Sequence, residues 1–135
     1  KPDSIRNFIT KAQEFKINCI YITKYNPKES FKNLDDNGIS FIWVYSGKGD
    51  TILPTEINEI NNEIKVDLND TKVNCIAIDC VELLISANGI IKTLKFLNNL
   101  IQKSKQRDNM IILSINPKLL QKDHYDKISN LLEVR

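Results

Sequence analysis

Val73-Asn74-Cys75-Ile76-Ala77-Ile78-Asp79 is the stretch that decides the fold. A short, almost unbroken apolar run between polar residues is the pattern of a strand buried on both faces, and such strands belong to parallel sheets. The run closes on a carboxylate, and Glu82 follows three residues later. Cys19-Ile20-Tyr21-Ile22-Thr23 has the same character and ends in the turn Lys24-Tyr25-Asn26-Pro27. Residues 40–45 and 110–115 supply two more such runs, the last ended by Asn116-Pro117.

Helical spacing fills the gaps. Leu53, Ile57, Ile60 and Ile64 recur at i, i+4, i+7 and i+11, with Pro54 near the first turn and Glu56 and Glu59 early, which predicts an amphipathic helix fraying over 67–72. Ile90, Ile91, Leu94, Leu97 and Ile101 form the apolar face of a longer helix after Asn88-Gly89, and residues 82–85 form a turn or short helix before it. Asp3-Ser4 can cap a helix over 4–15 that carries Ile5, Phe8, Ile9, Ala12 and Phe15. Pro27 opens a short helix with Phe31 and Leu34, stopped by Asp35-Asp36-Asn37-Gly38. A last helix from about 123 carries Tyr125, Ile128, Leu131 and Leu132.

Strands alternating with helices call for an α/β fold, read here as one domain over 1–135. Right-handed crossovers must cover both faces, so the winding reverses once. The expected result is a three-layer sandwich around a four-stranded parallel sheet in the order 2-1-3-4. Reversal after the second strand opens a crevice between the carboxyl ends of strands 1 and 3, where Thr23, Lys24, Asp79 and Cys80 are expected.

Composition narrows the function classes. The chain has 135 residues, 41% of them hydrophobic and 27% charged, enough for a buried core and unlike a disordered chain. A net charge of +2 gives no electrostatic reason to expect nucleic acid or an anionic membrane. The basic stretch 103–107 is read as a solvated helix end. The apolar runs fall far short of the ~18–20 residues that span a bilayer, so a cytoplasmic protein is expected. The start at Lys1-Pro2-Asp3, without methionine, fits a segment cut from a longer protein. Three cysteines form no CxxC pattern, and Cys75 and Cys80 would lie roughly 16 Å apart along an extended strand. All three are read as buried thiols of a reducing compartment.

Asp79 is the strongest candidate for chemistry, and two readings stand beside each other. It caps the following segment through backbone N–H groups, or with Glu82 it holds a hydrated Mg²⁺. No phosphate-binding loop supports the second. Gly47-Lys48 is followed by Gly49 rather than Ser or Thr, and Ile42 stands where the first glycine of that motif belongs. Phosphorylatable receiver chemistry needs an acidic pair after the first strand, where Thr23-Lys24-Tyr25 stands instead. Ser46-Gly47 and Ser86-Ala87 lack a nucleophile elbow, and His124 reads as a surface residue. No catalytic residue, no cofactor and no enzyme activity are therefore expected. Trp43 and Tyr45 either pack in the core or offer an aromatic patch to a protein partner.

Residues 19–27, 41–44, 77–85, Asn88-Gly89 with Lys95-Phe96-Leu97, and 114–117 together resemble the archaeal domain of unknown function 835, over nearly the whole chain. Lys24 stands for that family's usual Arg, Cys80 for Gly, Ile90 for an aromatic residue and Asn116 for Asp. The family in turn is similar to a RecA/KaiC-type core without its P-loop strand. That resemblance implies that Asp79 holds the Walker B position and Asn116 lies near the sensor position. It also implies a non-catalytic module of archaeal regulatory or signalling proteins, acting through a protein partner or a second copy of itself. The alternative expectation is a nucleotide or small-ligand sensor built on Thr23, Lys24, Asp79, Glu82 and Asn116.

Overall fold

The computed structural model describes residues 7, 10–11, 13–30, 38–47, 49–70 and 72–133. Strands β1 (Cys19–Thr23), β2 (Ile39–Trp43), β3 (Cys75–Ile78) and β4 (Met110–Leu113) form one sheet in the order β2-β1-β3-β4, with every pair parallel. This is the doubly wound order expected from the alternation. The two inner strands are buried at every position, as their unbroken apolar runs require.

One face of the sheet carries the main core. Ile20, Ile22, Ile42, Val44, Ile76 and Ile78 point to it. Against them pack Ile60, Ile64 and Leu68 of α1 (Ile57–Asp70), Leu84 of α2 (Val81–Asn88), Phe96, Leu97 and Leu100 of α3 (Ile90–Arg107), and Ile128 of α4 (Lys122–Glu133). The opposite face buries Cys19, Tyr21, Ile39, Cys75 and Ala77. Among the described residues, no helix is long and apolar enough to cross a membrane.

Several boundaries differ from the expectation. The helix expected to begin near Leu53 starts at Ile57, because Ile52 is drawn into a parallel bridge with Val44 and leaves Leu53 45% exposed. That helix runs to Asp70 rather than fraying over 67–72. Residues 82–85 lie in a two-turn helix of their own. Gly89, at φ +86°, is the joint between it and α3, and its carbonyl accepts both the N–H and the hydroxyl of buried Thr93. Of the helix expected over 4–15, residues 7, 10, 11, 13 and 14 are helical, and its other apolar positions lie outside the described residues. Phe15, assigned to its apolar face, is 74% exposed, because the chain leaves the helix at Lys16 with φ +56°. The expectations for Phe31, Leu34 and 35–37 also lie outside the described residues.

Burial at this density sets a stability contrast. Ile78→Ala, at a fully buried position, is expected to cost about 3–4 kcal/mol and Ile78→Val about 1 kcal/mol. Val66→Ala on the outer side of α1, where Val66 is 51% exposed, should stay within about 0.5 kcal/mol of the parent. Urea unfolding followed by circular dichroism measures all three.

Candidate functional site

The carboxyl ends of β1 and β3 meet at Asp79, which is only 4% exposed. A buried carboxylate is costly unless its oxygens are hydrogen-bonded, and here the donors come from β1 and its exit. Oδ2 accepts the Tyr21 hydroxyl at 2.5 Å and the Thr23 hydroxyl at 2.8 Å. Oδ1 accepts the Lys24 backbone N–H at 2.9 Å. The Thr23 oxygen in turn accepts the Tyr25 N–H at 3.0 Å, which fixes the turn that leaves β1. Register makes this possible: Tyr21 lies opposite Ala77, and the small Ala77 side chain lets the tyrosine reach two residues up the same face to Asp79.

Asp79 does not take the capping role that the sequence offers it. It does not cap α2, whose N-cap position is Cys80 and has no side-chain cap. Three accepted bonds engage its oxygens on the protein side, and Glu82 lines the same crevice above it. Among the described residues, no three His, Cys, Asp or Glu side chains are grouped to hold a metal. The carboxylate is a clamp between two adjacent strands. Burial raises its pKa, and the bonds from Tyr21, Lys24 and Thr23 oppose that rise. Burial together with the neighbouring Asp79 pushes the Tyr21 hydroxyl far above its usual range, so it stays a donor.

Above the clamp lies a crevice of about 160 Å³ lined by Lys24, Tyr25, Asp79, Glu82, Ser114, Asn116 and Leu119. The structure brings together Lys24, Asp79, Glu82 and Asn116 as expected. Thr23 is corrected: it is fully buried beneath the crevice, its hydroxyl engaged with Asp79. Cys80, expected beside it, is fully buried in the main core. Glu82 Oε1 accepts the Asn116 N–H at 2.7 Å, which ties the start of α2 to the exit of β4. Lys24 Nζ lies 4.0 Å from Glu82 Oε2 and 5.5 Å from the Tyr25 ring centre.

The exits of β1 and β4 are built alike. Both read Asn-Pro-Lys, at 26–28 and 116–118. In each, the Asn side chain accepts the Lys N–H at 3.0 Å, closing one turn of helix over Pro27–Ser30 and one 3₁₀ turn over Pro117–Leu119. In both turns the Lys amide at the helix start is thus already engaged by the chain itself.

Trp43 and Tyr45 stack with ring centres 6.0 Å apart and planes 8° from parallel; Tyr45 is 48% exposed. The loop holding the chain's one Gly-Lys pair folds back over these rings. A Cβ at Gly47 would collide with the Tyr45 ring, and Gly49, at φ +115°, lies against Trp43. Both glycines serve close aromatic packing. A larger concavity of about 600 Å³, rimmed by Glu56 just before α1, Asn58 and Asn61 of α1, and Lys92 and Asn99 of α3, had no sequence signal, because these are ordinary solvent-facing positions.

Fold and site together define a doubly wound, all-parallel α/β protein whose carboxyl edge is closed by its own side chains. Within that class, the chain belongs to the family described as protein of unknown function (DUF835), whose profile matches residues 1–132. No curated protein matches it.

The clamp yields two expectations. Asp79→Ala removes the acceptor of three donors, two of them the hydroxyls of fully buried Tyr21 and Thr23, and should destabilise by about 2–4 kcal/mol in urea unfolding. The second concerns pH. Because burial lifts the folded pKa above that of the unfolded chain, the folded state holds this proton more tightly. That contribution is complete below the ordinary carboxylate range and is lost as pH rises through the folded value. The stability difference between the parent and Asp79→Asn should therefore move against the parent between pH 4 and 7, and a difference moving the other way would show that the three hydrogen bonds outweigh burial.

Proposed function

We propose that this chain is a non-catalytic protein-interaction module of archaeal regulatory or signalling assemblies. In this reading it works in the cytoplasm on a RecA/KaiC-like core that has lost its phosphate-binding strand. The observation that carries it is the self-closure of the sheet's carboxyl edge. Asn26, Asn116, Glu82 and Asp79 engage the backbone amides at the strand exits, where this class of fold ordinarily seats a phosphate. Size supports the same reading against a nucleotide sensor built on this crevice. A crevice of about 160 Å³ compares with the roughly 150 Å³ that holds a benzene ring and lies below the ~300 Å³ at which small-molecule pockets begin.

The contact surface is assigned to the Trp43–Tyr45 stack, a rigid aromatic pair with one half-exposed ring of the kind enriched at interface centres. A second copy of the chain is the first partner to test.

Isothermal calorimetry and thermal shift with ATP, GTP and a cyclic dinucleotide, each with Mg²⁺, should give no saturable heat and no rise in melting temperature. A saturable, Mg²⁺-dependent response would replace this reading with a nucleotide sensor. Light scattering behind size exclusion should show concentration-dependent dimers that weaken in Tyr45→Ala, whereas a strict monomer at high concentration would remove self-association from the proposal.

A further inference from the structure

Cys19 and Cys75 are direct partners in the parallel ladder between β1 and β3. Both side chains belong to one small cluster on that face. They are 2% and 0% exposed, and Ile17 and Ile112 pack against them. Adjacent strands run ~4.7–4.9 Å apart, and a disulfide accepts Cα separations of about 4.4–6.8 Å. Paired positions on one face thus already have the spacing of a cross-link. Cys80 belongs to the main core on the other side of the sheet.

We propose that Cys19 and Cys75 form an oxidisable pair that closes to a disulfide under a hydroperoxide, stapling β1 to β3 at their amino ends. Position divides the work. Cys19 sits beside Ile17 and Asn18, which are only half-buried, so a small peroxide has its shortest approach there and Cys19 is the attacking sulfur; the neighbouring Cys75 thiol lowers the Cys19 pKa against the effect of burial. The Cys19 thiolate attacks one peroxide oxygen and the O–O bond breaks. The departing hydroxide leaves as water with the proton that Cys19 gave up, and Cys19 becomes a sulfenic acid. Cys75 then attacks the Cys19 sulfur as it loses its own proton. The S–O bond breaks and a second water leaves. Two thiols lose two electrons, and the peroxide gains both. The staple closes the long chain segment between residues 19 and 75, which restricts the unfolded state. This inference rests on strand register and is independent of the partner surface and the crevice.

The test treats the reduced, folded protein with hydrogen peroxide at neutral pH and quenches with catalase. Unfolding in N-ethylmaleimide then precedes intact-mass and non-reducing peptide analysis. The expected product is two hydrogens lighter, carries one adduct at Cys80 and yields a linked peptide pair containing Cys19 and Cys75. Its melting temperature should rise and fall back on reduction. Cys80→Ser, which leaves the pair untouched, should give the same link with no adduct. Three adducts, a sulfinic acid at Cys19 with Cys75 alkylated, or a link through Cys80 would each overturn the proposal.

Discussion

A carboxylate sealed between two parallel strands must find donors inside the protein, and Asp79 finds all of its own on β1 and the turn that leaves it. That constraint organises the carboxyl edge. It holds β1 and β3 in one register and turns Tyr21 along the sheet. It also sets the direction in which the chain departs at Lys24. With Asp79 fixed, α2 starts where Glu82 can reach the exit of β4, so β1, β3 and β4 are joined at their ends by side chains as well as by the ladder. The bonds to Asp79 rigidify this junction, while Glu82 Oε2, buried beside it, has no hydrogen-bond partner among the described residues and faces Lys24 Nζ at 4.0 Å.

Much of the architecture was legible in the sequence because it follows from burial alone. Cys19–Thr23 and Cys75–Ile78 have no polar side to offer water, so they had to be inner strands, and covering both faces forces one reversal of winding. The Asn-Pro turns after β1 and β4 were equally plain. The partners of Asp79 were not. Local reasoning offered it the amides that follow it in the chain, while its actual donors lie 55 to 58 residues away and become neighbours only once Tyr21 is set opposite Ala77. The cysteines show the same limit. Comparing Cys75 with Cys80 along one strand missed Cys19 across the ladder, which the order 2-1-3-4 places beside it. Leu53 failed for a different reason: its helical spacing was real, but the edge of β2 captured Ile52 through a bridge to Val44, and tertiary pairing overrode the local pattern.

The two inner strands thus carry a different chemistry at each end. At the carboxyl end a hydrogen-bonded carboxyl clamp lies beneath a small polar crevice. At the amino end two thiols face each other in an apolar pocket. Both depend on one register, Cys19 with Cys75 and Tyr21 with Ala77, so a slip by one residue would dissolve both at once. The Gly47–Gly49 loop lies outside this pairing and serves the Trp43–Tyr45 stack.

The central claim is that Tyr21 and Asp79 act as one unit, and a double-mutant cycle on stability measures that directly. Tyr21→Phe, Asp79→Asn and the double variant, compared by urea unfolding at pH 7, should return a coupling energy of about 1–3 kcal/mol. Additive effects, with coupling near zero, would contradict the account and reduce the clamp to two independent buried residues.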